Sequence, residues 1–407
     1  MSTPLSLFEG YGIELEYMIV SEDDLCIMPI ADEILRDANG TGEIVGDLER
    51  GPFGWSNELV AHVLEIKTNG PTPDLVSMAT GFQAEIAEAN RIAHQYGACL
   101  LPTAAHPWMN PFTETRLWPH DCSEIYQAFN RIFDCRGHGW SNLQSMHINL
   151  PFQGDEEFAR LHAAIRLLMP IMPALSASSP FLDGKATGLI DSRLAAYQKN
   201  CARIPLITGK VIPEVVQSES DYYRTIFQPM WQAIKPFDHD NILQEEWLNA
   251  RGAIARFGRG TIEIRVLDLQ ECPAADLAIA IAISSVLKAM CNDQFPLNLQ
   301  NQIPENELSA ILDDVIKNGG QTQINHPDFL ANLGVESSCS AAEIWSALIN
   351  QYVPAGDHLS RLKIITSKGT LAERLLDAHD SEINRESLYS IYGQLTHCLK
   401  QGTMFEP

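Results

Sequence analysis

Alternation of apolar and polar residues is the first order visible along this chain. From Gly12 to Val20, GIELEYMIV reads as a strand with Ile13, Leu15 and Tyr17 on one side and Glu14 and Glu16 together on the other. The device recurs twice. In SMHINLPF, His147 and Asn149 share a face, and in GTIEIRVLD, Glu263 and Arg265 share one while Ile262, Ile264 and Val266 take the opposite face. A fourth stretch, NELVAHVLEIKTNGP, supplies Glu58 and Glu65. Their spacing puts them on opposite faces of an unbroken strand, so LEIKT is read as the strand and Glu58 as lying in a loop or helix before it.

Helical periodicity covers 31 to about 37 and 74–96, the latter with Asp74 as N-cap after the breakers Pro71 and Pro73. It continues at 123–133 and from about 155 to 175, where Pro170 and Pro173 bend or end the run. Helices are also expected through much of 192–248, over about 274–291 and over most of the chain beyond Gln300. ACLL at 98–101 reads as a strand entering a loop. Strands and helices interleave without a clean βαβ series, which predicts an α+β fold around a mainly antiparallel sheet.

Composition narrows the function. The chain has 407 residues and a net charge of −24, from 52 acidic and 28 basic side chains. That field repels phosphate backbones and anionic membranes, so neither nucleic acid nor membrane is an expected partner. A small phosphate ligand stays compatible, because a few arginines and a divalent cation invert the field locally. MSTPLSLFEG lacks the basic and apolar regions of a signal peptide, and the apolar run Leu277–Leu287 is shorter than the roughly 20 residues a span needs. Nine cysteines without a CxxC pair read as reduced thiols of a cytoplasmic enzyme. The pattern leaves a homo-oligomer open.

Any one polar pair is what a strand with a wet face would show, and a lone histidine is more often hydrogen-bonded in a core than a ligand. Glu65 alone reads equally as a solvated carboxylate beside Lys67. The joint pattern weighs the other way, since wet faces use Thr, Ser, Lys and Gln freely, whereas these strands offer Glu, Glu, His, Asn, Glu and Arg. Carboxylates gathered in one funnel repel unless a cation sits among them. Oxygen ligands with an occasional imidazole suit Mg²⁺ or Mn²⁺, which commonly bridge carboxylates to nucleotide phosphates. Walker A, protein-kinase, HExxH and GxSxG motifs are all absent. Arg251, Arg256, Arg259 and Arg265 cluster near the third strand and suit phosphate or carboxylate, although Arg259, between Gly258 and Gly260, is as well read as a surface turn.

Taken in order, GIELE, LEIKTNGP, SMHINLPF, ALSASSPFLDGKATGLIDSR and ARGAIARFGRGTIEIRVLD resemble the glutamate–cysteine ligase family, and more broadly carboxylate–amine ligases of the glutamine-synthetase type of fold. The blocks span Gly12 to Leu269. The resemblance implies an ATP-dependent ligase whose curved, mainly antiparallel sheet forms an active-site funnel holding ATP and Mg²⁺ or Mn²⁺, joining a carboxylate such as glutamate to cysteine or another amine through an acyl phosphate. It implies a catalytic region over 1–300, with a mostly helical 301–407 packed on the same domain. By motif position, Glu14, Glu16, Glu58, Glu65, His147 and Glu263 are expected at the metal, and Arg265, Glu65 and His147 in catalysis. Arg193, Arg251 and Arg256 are expected on the nucleotide or substrate carboxylate. Ser145 stands where many bacterial relatives carry the first histidine of His-x-His, while His147–Ile148–Asn149 is similar to the γ-glutamylcysteine synthetase pattern. Two other readings are a silent relative that only binds nucleotide or amino acid, and a phosphagen-type kinase on the same fold.

Overall fold

Strand β1 (Gly12–Ser21) runs through an antiparallel sheet in a computed structural model that describes residues 5–292, 302–379 and 383–407. Its companions are β2 (Asp47–Arg50), β3 (Phe53–Asn57), β4 (Val63–Thr68), β5 (Ala98–Leu101), β6 (Ser145–Pro151), β7 (Ala253–Arg256) and β8 (Thr261–Asp268). The order is β2-β3-β4-β1-β6-β8-β7, and β5 pairs with the second half of β1. The sheet is open, and the irregular interleaving of helices gives the α+β class expected.

The two faces of β1 have different fates. Ile13, Leu15, Tyr17 and Ile19 are fully buried in one core cluster with residues of α1 (Ala31–Asn39), α2 (Met78–Ala93) and α5 (Pro273–Met290), such as Ile34, Phe82, Ile86 and Ile283. Removing each large apolar side chain from water is worth about 1.5–3 kcal/mol, which fixes the register and holds the opposite face toward the site. That opposite face carries Glu14 and Glu16, then turns apolar. Met18 and Val20 enter a second cluster with Leu371, Leu375 and the last helix, α6 (Arg385–Gln401), through Leu388, Ile391, Tyr392 and Leu395.

The fold departs from several expectations. Asp74 does not cap α2. Its carboxylate accepts from the backbone N–H groups of Val76 (2.9 Å) and Ser77 (3.3 Å), making a turn, and the helix starts at Met78. Helix α3 occupies Ser123–Phe133 as expected, and α4 (Gly154–Leu168) gives way to a 3₁₀ turn at Met169–Ile171 where Pro170 enters. Between 192 and 248 helix covers Ser192–Tyr197 and a continuous stretch from Glu219 through a π-helical segment at Tyr223–Phe227 to Ile234, with only short 3₁₀ turns elsewhere. The run from Ala253 to Asp268 is two strands, folded back at Phe257–Gly260, where Gly260 takes φ 65°. The apolar run read as 277–287 belongs to an 18-residue helix, α5, long and apolar enough to cross a membrane by length and composition. In this fold 78% of that window is buried, so α5 is a core helix.

Candidate active site

Four adjacent strands bring the polar pairs together. Register places Glu14 opposite His147 on β6 and opposite Lys67 on β4, Glu16 opposite Glu65, and Glu263 opposite Asn149. A bulge in β8 between Ile264 and Leu267 breaks the ladder at Arg265, where a bulge can re-aim a side chain, and the guanidinium meets its neighbour Glu263. The hairpin between β3 and β4 supplies Glu58 from the loop just after Asn57, as expected for a residue preceding the strand of Glu65. All of these side chains except Asn149 line one cavity of about 920 Å³.

Hydrogen bonds fix the arrangement. His147 Nδ1 donates to Glu14 Oε2 at 2.8 Å, and Asn149 Nδ2 donates to Glu14 Oε1 at 3.0 Å. His147 Nε2 lies 2.9 Å from Ser145 Oγ, which with its own backbone N–H donates to Glu16 Oε2 at 2.9 and 2.6 Å. Glu65 Oε1 accepts from Ser56 Oγ at 2.6 Å and lies 3.2 Å from Lys67 Nζ. Glu263 is held by Arg265 and by Arg256 Nη1, the latter at 3.1 Å.

The charges do not balance everywhere. Burial would depress the His147 imidazole, but the hydrogen bond to Glu14 and the charges of Glu16, Glu14 and Glu263 outweigh it and raise its pKa to about 9. Burial likewise pushes Glu263 up, yet Arg265, His147 and Arg256 bring it down to about 2. At the other end, burial and then Glu14 lift Glu65 to about 7 against Lys67 and Ser56. Glu58 stands well above the usual carboxylate range, from withdrawal from water and then from Glu16 and Glu65. At the Glu58/Glu65 end Lys67 alone does not offset the carboxylates, and a divalent ion would supply the missing charge.

Ligand geometry agrees. Atoms of Glu14, Glu65 and His147 lie within 4.8 Å of one another, and so do atoms of Glu16, Glu58 and Glu65. Each trio could hold a metal ion, with Glu65 common to both, and the carboxylate-rich donor set suits Mg²⁺ or Mn²⁺. Glu263 belongs to neither trio and is committed to arginines.

The arginines separate. Arg265, Arg256 and Arg193 line the cavity, whereas Arg259 stands exposed at its rim. Arg193 is buried, its Nε donating at 2.5 Å to Asp268 Oδ1, while Asp268 Oδ2 accepts from Ser178 N and Ser179 Oγ at 2.8 Å each. Arg251 does not reach the cavity. It is buried, forms two 2.6 Å bonds to Glu214, and donates to the Leu206 carbonyl and to Asn249 Oδ1. The expected nucleotide contact of Arg251 is therefore not what the geometry offers, because its guanidinium is consumed by the protein. The sequence marks Ser145 only as a missing histidine and gives no sign that it, Ser56 and Asp268 orient these groups, while Lys67, two residues after Glu65, shares its strand face and pairs with it.

An open antiparallel sheet with an acidic, metal-ready face is the α+β arrangement expected of the chain, and comparison with known proteins gives its family. Residues 11–323 match the family described as glutamate-cysteine ligase family 2, so the chain belongs to that family and is a glutamate–cysteine-ligase-like enzyme. It is 30% identical over 394 residues to an uncharacterized protein of Archaeoglobus fulgidus, covering 97% of this chain and 99% of that one. A relative from Bradyrhizobium sp. (strain ORS 278), provisionally named a glutamate–cysteine ligase 2, is 30% identical over 279 residues, and the match spans 67% of this chain but only 59% of that longer protein. Among solved structures, the glutamate–cysteine ligase of Francisella tularensis in complex with AMP shares the fold, with a TM-score of 0.58 at 12% identity over 98% of this chain and 90% of that one.

Proposed function

We propose that this chain is an ATP- and Mg²⁺-dependent carboxylate–amine ligase, which activates a carboxylate as an acyl phosphate and passes the acyl group to an amine. Glutamate and cysteine are the pair toward which the family points. The observation that carries this reading is the convergence of Glu14, Glu16, Glu58, Glu65, His147, Glu263 and Arg265 on one cavity from five segments of the chain.

A bound divalent ion would supply Lewis-acid stabilisation of the phosphate oxygens, held by Glu14, Glu65 and His147 or by Glu16, Glu58 and Glu65. The chain's own residues do the rest. Arg265, steadied by Glu263, offers fixed positive charge to the phosphoryl group in transfer. Arg193, aimed from the cavity wall by Asp268, meets a substrate carboxylate or phosphate oxygen with its terminal nitrogens, which make only long contacts of 3.4 and 3.5 Å to the Arg265 carbonyl. Ser145 and Asn149 keep Glu16 and Glu14 oriented, so little reorganisation is needed on binding.

The test is phosphate release from ATP and Mg²⁺ with glutamate, with and without a panel of amines. Amine-dependent turnover with amide formation supports the proposal. ATP binding without turnover for any acid–amine pair would refute it and leave a silent nucleotide-binding relative.

A further inference from the structure

Helix α3 turns part of its apolar face toward the cavity instead of the core. Ile125, Tyr126 and Phe129 fall on one side by helical spacing, yet they are half-buried and line the cavity, joined by Trp140, Leu143 and Trp247. The rings are held in place. Phe129 lies 5.3 Å from Trp140 and 5.8 Å from Trp247 between centroids, and the Trp140 indole N–H donates to the Asn200 carbonyl at 3.0 Å. The wall begins at the carboxylates, where Asn57, the residue before Glu58, donates from Nδ2 to the Tyr126 hydroxyl at 3.1 Å.

A second recess, of about 570 Å³, adjoins the site at Glu14 and shares Glu14, Asp47, Lys67 and Arg259 with the cavity. Its lining sets Lys67 and Arg259 beside Glu14, Asp47 and Glu49, and at Gly70 the backbone faces open space. A polyphosphate carried on a divalent ion, which offsets these carboxylates, would meet open backbone and the Arg259 side chain there. In-line phosphoryl transfer puts the nucleotide and the acceptor on opposite sides of the moving group, which leaves the aromatic side to the carboxylate–amine pair. Glutamate has two methylenes between charged ends and little to set against rings. The thiol of cysteine would cover one ring and leave the others facing water.

Resting on the ligase reading above, we infer that the amine acceptor carries an aromatic or large branched apolar group, which the wall of Tyr126, Phe129, Trp140 and Trp247 selects. The experiment supplies the purified chain with ATP, Mg²⁺, glutamate and, in turn, cysteine, alanine, leucine, phenylalanine and phenethylamine, measuring amide by mass spectrometry and kcat/KM by phosphate release. The expected result is a preference of about 10-fold or more for the aromatic amines over cysteine and alanine, at least the scale of one methylene in an apolar pocket. That preference ratio collapses in Phe129→Ala and Trp247→Ala and is largely kept in Phe129→Leu, which retains apolar volume should the alanine variant fold poorly. Cysteine preferred over every apolar amine overturns the inference while the ligase reading stands. A rise in the KM for ATP in the ring variants, with the amine ratio unchanged, also overturns it and gives the rings to adenine. No amide from any pair overturns the ligase reading itself.

Discussion

His147 on β6 donates to Glu14 on β1 across 2.8 Å, a contact between residues that are far apart in sequence and directly opposite in register. It joins the imidazole to a carboxylate that also belongs to a metal-ready trio with Glu65. Glu14→Gln keeps the shape and removes the charge. Its turnover should fall by about 100-fold at limiting Mg²⁺ and recover partly at high Mg²⁺, with the melting temperature little changed. Glu16→Gln should abolish turnover while the fold survives. Full activity in either variant, measured by phosphate release across a Mg²⁺ series, would remove that carboxylate from the site.

Arg265 offers a planar fork that lysine cannot reproduce. Arg265→Lys should lower kcat by about 1,000-fold with little change in the KM for ATP, the signature of charge felt mainly in the transition state. A matching loss in KM with kcat preserved would make Arg265 a ground-state binder instead.

Arg251 and Arg193 are alike as sequence candidates, and the fold assigns them different work. Arg251→Met should cost about 3 kcal/mol of stability in urea unfolding, because Glu214 and two backbone carbonyls lose their donor. The folded fraction should keep its KM for ATP. Arg193→Lys should show the opposite balance, with kinetic constants moving more than the unfolding midpoint.

Three buried histidines set an acid limit. Burial holds His62 near 4, and His106 and His162 near 3, all below the ordinary value of about 6.5. The unfolded chain therefore binds more protons than the folded one between about pH 6.5 and pH 3–4. Their contribution to stability is complete above pH 6.5 and is lost as pH falls through that window, at up to about 1.4 kcal/mol per pH unit for each histidine. His162 packs on Phe158 and Tyr222, and its ring nitrogens make no hydrogen bond within the described residues. His162→Phe should flatten the fall in the urea midpoint between pH 7 and pH 5. An unchanged slope would show that His162 takes no part.

How far the amino-acid sequence reveals the site depends on which interactions are local. Strand side chains alternate with period two, so Glu14 with Glu16, His147 with Asn149 and Glu263 with Arg265 stand out as same-face pairs in the sequence itself. Their meeting depends on strand order, which alternation does not encode. Arg251 looks like its neighbours because its partner, Glu214, lies 37 residues away, and nothing near it in sequence marks the burial. The apolar stripe of α3 is legible as a helix, but an apolar stripe facing a cavity reads the same as one facing a core.

The shared face of β1, acidic at Glu14 and Glu16 and apolar at Met18 and Val20, has a consequence for biosynthesis. The strand leaves the ribosome hundreds of residues ahead of its cover, the leucine-rich side of α6. Until that helix docks, Met18 and Val20 have only part of their cover, from residues such as Leu101 and Phe181, beside a cluster of like charges. Strand register and hydrogen bonds align the glutamates without α6, so its docking is the late step that closes an apolar patch beside an acidic one.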